Sequence, residues 1–294
     1  MFELSYYYFK ISLIIGSTFV TAALLGVYRY QNLLIYPSGL NGARDVVDTP
    51  AQYNLAYEDI TLKTKDSETL KGYLLLHDKN SALYTNKTVL ILSPNAGNIG
   101  HFLPVVKYIY QQLRYNVLIY SYRGYGKSTG EPNEEGLKID ADTVMEFVAN
   151  HSQLASSSIV CYGRSLGGAV SIYIASRYPD LIAGLILENT FLSVRKVIPH
   201  IFPVLGPFKQ LCHQIWPSEQ EILRIPESVS MLFLSGLDDE IVPPAHMRTL
   251  YELSRSQTKT WVEFPGAHHN DTIVQPKYWD FFYEFMRKIT PVEK

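Results

Sequence analysis

The chain has 294 residues, 47% of them apolar and only 18% charged, with a formal net charge of −2. That length suits one large domain or at most two small ones, and the apolar content excludes a disordered chain. Lys+Arg (26) nearly cancel Asp+Glu (28), which leaves no basic footprint for nucleic acid, and two cysteines cannot build a disulfide framework.

The first element is apolar. Ile11–Tyr28 carries no charge and lies between Lys10 and Arg29. As a helix it would span about 27 Å, close to the ~30 Å hydrocarbon core of a bilayer. It holds nine Leu, Ile, Phe or Val residues. At roughly −0.3 to −0.6 kcal/mol each, these favour insertion by about 3–5 kcal/mol. Tyr6 to Phe9 precede the run and Tyr28 and Tyr30 follow it, as amphipathic aromatics do at the two interfaces. A cleaved signal peptide is the competing reading, but the run is too long for one and no A-x-A site follows. A buried soluble helix would leave a polar face, and none is visible.

Residues 1–30 are therefore expected to be a single-pass N-terminal signal-anchor, followed by a linker at 31–50 and a body at 51–294. Cations nearly balance across the segment, so orientation stays open. Asn86-Lys87-Thr88 and Asn150-His151-Ser152 are glycosylation sequons that permit a lumenal body, so an endomembrane location is expected.

Beyond residue 50 strands and helices alternate. Tyr57–Thr64 and Leu70–Leu76 read as a hairpin turning at Lys65-Asp66-Ser67. Short apolar runs follow at 89–92, 117–120, 159–162, 185–187, 231–234 and 261–264. Such runs suit strands buried on both faces of a parallel sheet. Helical segments are expected near 101–113, 135–149, 166–177, 244–256 and 276–288. The sum is an α/β fold: eight strands, mostly parallel, with helices on both faces. The alternation breaks at 191–226, an apolar stretch punctuated by Pro199, Pro203, Pro207 and Pro217. It is expected to form a small apolar lid over the carboxyl ends of the strands.

Gly163-Arg164-Ser165-Leu166-Gly167 is a G-x-S-x-G sequence between the apolar run 159–162 and the helix-like 169–177. Strand, turn and helix in that order are what a nucleophile elbow requires. A serine hydroxyl is a weak nucleophile and needs a base. His269 and its neighbour His268 lie just after the last expected strand, and spacing alone does not separate them. The base needs an acid to fix its tautomer. Asp238, Asp239 and Glu240 follow the strand at 231–234; Asp239 is preferred, with Asp238 the nearest rival. The order Ser165, Asp239, His269 is that of α/β-hydrolases. Oxyanion donors are expected from the backbone of Leu166, after the nucleophile, and of Asn95, in the loop after the third strand. Pro94 beside it has no N–H.

These residues resemble the α/β-hydrolase superfamily and, within it, the membrane-anchored alpha/beta hydrolase domain-containing protein 13 family. The resemblance covers nearly the whole chain. It is carried by Asn95 to His101, Tyr122 to Ser128, Gly163 to Gly168, Glu188 to Phe191, Ser235 to Pro244 and His269 to Thr272. It implies Asp239 as the acid, because the family's acid precedes x-x-Val/Ile-Pro. It implies His269 as the base, because the family's base precedes Asn-Asp-Thr. Relatives usually carry His-Gly where this chain has Ser93-Pro94, a stiffer start to the oxyanion loop.

The implied activity is that of a serine hydrolase on a carboxylic ester or thioester, including acyl groups on lipids or protein cysteines, with no metal or organic cofactor. A peptidase or amidase with the same triad is the alternative within enzymes. A weakly active, membrane-tethered interaction module is the alternative outside them. Of the remaining polar groups, Arg164 is expected to pair with a nearby carboxylate rather than with substrate. Arg123 is expected to anchor the turn after the fourth strand, and Cys161 to be buried and inert.

Overall fold

A computed structural model of the chain describes residues 2–290. Eight strands form one sheet in the order β1-β2-β4-β3-β5-β6-β7-β8. They are β1 (Glu58–Lys63), β2 (Thr69–Leu75), β3 (Lys87–Leu92), β4 (Asn116–Tyr120), β5 (Ser158–Arg164), β6 (Ile182–Glu188), β7 (Ser230–Gly236) and β8 (Lys259–Phe264). The β1–β2 and β2–β4 pairs are antiparallel and the others parallel. All eight strands fall where expected: β1 is two residues shorter than its run, β2 is the same length shifted by one, and β3 to β8 are one to four residues longer.

Two cores flank the sheet because side chains alternate along each strand. On β5, Ile159 and Cys161 face one core and Val160 and Tyr162 the other. The first face is covered by α3 (Glu134–Asn150), α4 (Leu166–Arg177) and α7 (Pro244–Leu253). The second is covered by α2 (Leu103–Lys107) and α8 (Tyr278–Lys288). The helix expected at 101–113 is interrupted: α2 sits between a 3-10 turn (Ile99–Phe102) and one π-helical turn (Tyr108–Gln112).

The Arg123 guanidinium reaches Asp140 at 2.8 Å and Asp66 at 2.6 Å. It ties the turn after β4 to α3 and to the β1–β2 hairpin.

The stretch without a strand pattern folds into α5 (Val194–Ile201), a 3-10 helix (Pro203–Leu211), α6 (Ser218–Glu221) and a final 3-10 turn. The N-terminal helix α1 runs over Phe2–Ile35, five residues past the expected anchor. It is long and apolar enough to cross a membrane, and the apolar window is wholly unburied, with mean hydropathy 1.9.

The end of α1 and the segment after it are fastened to the body. Tyr36 is buried, accepts from Trp216 Nε1 at 2.8 Å and donates to Gln214 Oε1 at 3.1 Å. Gln31 Oε1 accepts from the backbone of His213 at 2.8 Å. Asn98 Nδ2 donates to the carbonyls of Ala43 and Val46.

Candidate active site

β3 lies between β4 and β5, so the chain leaves β3 in opposite directions along the sheet. Such a switch point opens a crevice at the carboxyl ends of the strands. The loops after β3 and β5 meet there, beside a cavity of about 930 Å³.

Ser165 stands at the tip of the β5–α4 turn with φ 54° and ψ −118°. This backbone is costly for a residue with a Cβ, about 1–3 kcal/mol. Neighbouring bonds hold it. Ser165 N–H donates to the Glu188 carbonyl at 2.9 Å, and its own carbonyl accepts from Thr190 Oγ1 at 2.7 Å. The glycines on either side are dictated by space. A Cβ on Gly167 would stand 1.9 Å from the Leu92 carbonyl oxygen, and one on Gly163 2.2 Å from the Gly167 carbonyl oxygen. The serine is 7% exposed and lines the cavity.

His269 reaches the same cavity from the loop after β8. Its Nδ1 lies 2.7 Å from Asp239 Oδ2, with both side chains buried. The other Asp239 oxygen accepts from the backbone N–H groups of Ile241 and Val242, at 2.9 and 2.7 Å. The carboxylate is thus held from both ends, and an Nδ1–H donated to it leaves Nε2 unprotonated. The rivals lie elsewhere. Asp238 is exposed, and His268 turns outward beside Glu240 at 3.3 Å. Among the described residues no hydrogen bond joins Ser165 Oγ to His269, a contact that is often loose before substrate binds.

Leu166 and Asn95 both border the cavity with Ser165. Leu166 opens α4, where the first N–H groups have no partner inside the helix. The Asn95 carbonyl accepts from Tyr125 at 2.7 Å, and its side chain donates to the Ile35 carbonyl at 3.0 Å. The Ser93 carbonyl accepts from Tyr122 at 2.9 Å. The loop that begins Ser93-Pro94 is therefore pinned at several points.

Arg164 departs from expectation. Among the described residues it has no carboxylate partner. Its guanidinium lies 5.5 Å from the centre of the Phe102 ring, and the side chain lines the cavity. Arg164 is in register with Glu188, whose Oε2 accepts from Tyr162 at 2.6 Å and from Tyr278 at 2.7 Å, while its buried Oε1 has no partner among the described residues. Burial pushes both tyrosines well above their ordinary range, so they stay protonated donors. Cys161 is fully buried and burial pushes its thiol up, which suits an inert core residue.

Sequence reasoning did not single out Asn189. Its Nδ2 donates to the His269 carbonyl at 3.1 Å and to Thr272 Oγ1 at 2.8 Å, while its Oδ1 accepts from Gly236 N–H at 2.8 Å. One buried amide thus ties the histidine loop to β6 and β7. It stands in the Glu188–Phe191 block, and its signal is a polar residue at the end of a buried strand.

Comparison with known proteins agrees with this fold. Residues 87–210 match the family model described as the alpha/beta hydrolase fold. "Uncharacterized membrane protein YNL320W" of Saccharomyces cerevisiae is 50% identical over 266 residues, 90% of this chain and 92% of that one. "Protein bem46" of Schizosaccharomyces pombe is 44% identical over 274 residues, 92% of this chain and 91% of that one. Among solved structures, the Pyrococcus furiosus esterase PF2001 superposes with a TM-score of 0.68 at 22% identity, covering 83% of this chain and 96% of the esterase. The chain belongs to the α/β-hydrolase superfamily, in the alpha/beta hydrolase domain-containing protein 13-like family with bem46 and YNL320W.

Proposed function

We propose that this chain is a membrane-anchored serine hydrolase that cleaves a carboxylic ester or thioester through an acyl-enzyme. One observation carries the reading: a serine on a positive-φ turn borders the same cavity as a histidine whose far nitrogen is held by a buried carboxylate. Ser165 Oγ attacks the acyl carbon while His269 Nε2 takes its proton. Asp239 keeps the imidazole in the required tautomer and stabilises the imidazolium. The N–H groups of Leu166 and Asn95 receive the oxyanion. His269 returns the proton to the leaving alkoxide or thiolate. A water deprotonated by His269 then releases the acid and frees Ser165.

The lining of the cavity is mainly apolar, with Val194, Val197, Ile198 and Phe202 contributed by the cover over the sheet. That suits an acyl chain rather than a peptide. Helix α1 serves as the anchor, and a single-pass signal-anchor of the endomembrane system is the corresponding location. Full-length protein should label with a fluorophosphonate probe, and Ser165→Ala should abolish labelling. Equal labelling of folded wild-type and Ser165→Ala protein would refute the assignment.

A further inference from the structure

A cluster of exposed apolar side chains lies where α1 meets the body. Leu33 of α1 is 70% exposed, Leu40 after it 57% and Val204 84%, and Ile201, Phe202, Phe208 and Leu211 are also exposed. A monomeric soluble protein rarely shows so many large apolar side chains in one region. Several of the same residues build the cavity wall. Leu34 and Ile35 from the end of α1, Leu40 after it, and Ile201 and Phe202 from the lid all border the space reached by Ser165. The face outside the cavity and the wall inside it are two sides of one thin layer.

That layer is fixed to the anchor helix. Leu24, Val27 and Tyr28 of α1 pack beside Leu205, Phe208 and Leu211 of the lid around a smaller apolar cavity of about 70 Å³. Gln31, Tyr36, Gln214 and Trp216 add buried hydrogen bonds across the junction. The lid therefore sits at the level where α1 leaves the hydrocarbon. Charge agrees. Residues 5–44 and 191–217 contain no Asp or Glu, yet they carry Lys10, Arg29, Arg44, Arg195, Lys196 and Lys209, of which Lys196 pairs with Glu219 at 2.6 Å. Apolar side chains edged by an excess of cations suit the headgroup boundary of an anionic leaflet.

We propose that the lid face from Ile201 to Leu211 lies in the acyl boundary of the same bilayer that α1 crosses, so that the cavity opens into the membrane. Its occupant is lipid, and the substrate class is an acyl amphiphile drawn sideways from the leaflet. The substrate part rests on the serine-hydrolase reading of the site; the docking itself does not. Long acyl chains reach Ser165 without crossing water, which is why the cover carries apolar residues on both sides.

The test uses full-length protein in phosphatidylcholine–phosphatidylserine vesicles. Val204→Cys and, separately, Asn80→Cys are labelled with an environment-sensitive fluorophore; the native Cys161 and Cys212 are buried. Asn80 lies in the loop leading to the amino end of β3, away from the cavity. Nitroxide-labelled phosphatidylcholine should quench and blue-shift the label at 204 and leave the label at 80 at its aqueous level. Leu33→Cys provides a second site on the same face, with the same expectation. Equal, weak quenching at 204 and 80 overturns the proposal. A label at 204 that is shielded from water yet not quenched by the nitroxide lipid also overturns it, because a second copy or another protein then covers the face. Fluorophosphonate labelling of Ser165 in the same vesicles is read separately: quenching without labelling retains the docking and refutes the hydrolase reading, and labelling without quenching does the reverse.

Discussion

Asn95 Nδ2 donates to the carbonyl of Ile35 at 3.0 Å. Ile35 is the last residue of α1, and Asn95 stands in the loop that borders Ser165. The last carbonyls of a helix have no partner inside it. One bond therefore satisfies the helix end and holds the loop assigned to the oxyanion. The helix that reads as a tether is also part of the site.

Asn95→Ala keeps the backbone N–H and removes only this tie. The expected result is a fall in kcat with KM held, smaller than the roughly 10²–10³ lost with an oxyanion donor itself. Steady-state kinetics on a soluble short-chain ester would measure it. An unchanged kcat would mean that Pro94 and the Tyr122 and Tyr125 bonds suffice to hold the loop.

Tyr36 offers a test of the same junction through stability. Its hydroxyl bridges Trp216 Nε1 and Gln214 Oε1, and all three residues are buried. Tyr36→Phe leaves the indole N–H without a partner, at a cost of about 1–3 kcal/mol. Thermal unfolding in detergent should show a lower Tm, by roughly 2–4 °C per kcal/mol for a large domain. No shift in Tm would mean that water replaces the hydroxyl at no cost.

The acid and the base are separable from their neighbours by geometry. Asp239→Asn should lower kcat by about 10⁴, the loss seen when a triad acid no longer fixes the tautomer. Asp238→Asn and His268→Ala change exposed side chains and should leave kcat within a few-fold. Ester turnover by the variants would check this, and a large loss in Asp238→Asn would transfer the role to it.

Much of this arrangement is legible in the residues. The strands are visible because short buried runs between turn residues have few alternatives, and the Gly163–Gly167 spacing is visible because a tight elbow excludes side chains. Asp239 and Asp238 differ by one position, and spacing cannot tell which turns inward. That choice is made by the N–H groups of Ile241 and Val242. Arg164 reads as half of an ion pair, but the folded chain lays its guanidinium beside Phe102, more than 60 residues away in sequence. The packing of α1 against the 203–216 stretch is hidden for the same reason: Gln31, Tyr36 and Trp216 carry no local pattern and meet only in the folded chain.

His246 gives the stability a pH dependence. It lies on α7, buried, and Nδ1 has no hydrogen-bond partner among the described residues. Burial first, and then the nearby Lys196, pull its pKa from 6.5 down to about 4. A pKa lower in the folded state means that the neutral form is favoured by folding. Its contribution is complete above pH 6.5 and is lost as pH falls through 4. His246→Gln, neutral throughout, should narrow the loss of Tm between pH 7 and pH 4. Parallel curves for the two proteins would remove His246 as a cause.

Arg164 bears on selectivity. It lines the cavity next to Ser165, lies over Phe102, and its buried Nε has no partner among the described residues. A guanidinium without a carboxylate retains its capacity for a charge-assisted hydrogen bond, worth about 1.5–3 kcal/mol. An acyl ester carrying a carboxylate or phosphate near the scissile bond should engage it, and a neutral analogue should not. Arg164→Met should therefore reduce kcat/KM for the anionic ester by roughly 10- to 100-fold more than for the neutral one. The two substrates, matched in chain length, would be compared on wild type and variant. If both fall by the same factor, Arg164 acts only through the shape of the turn, and the anion preference has no basis in this side chain.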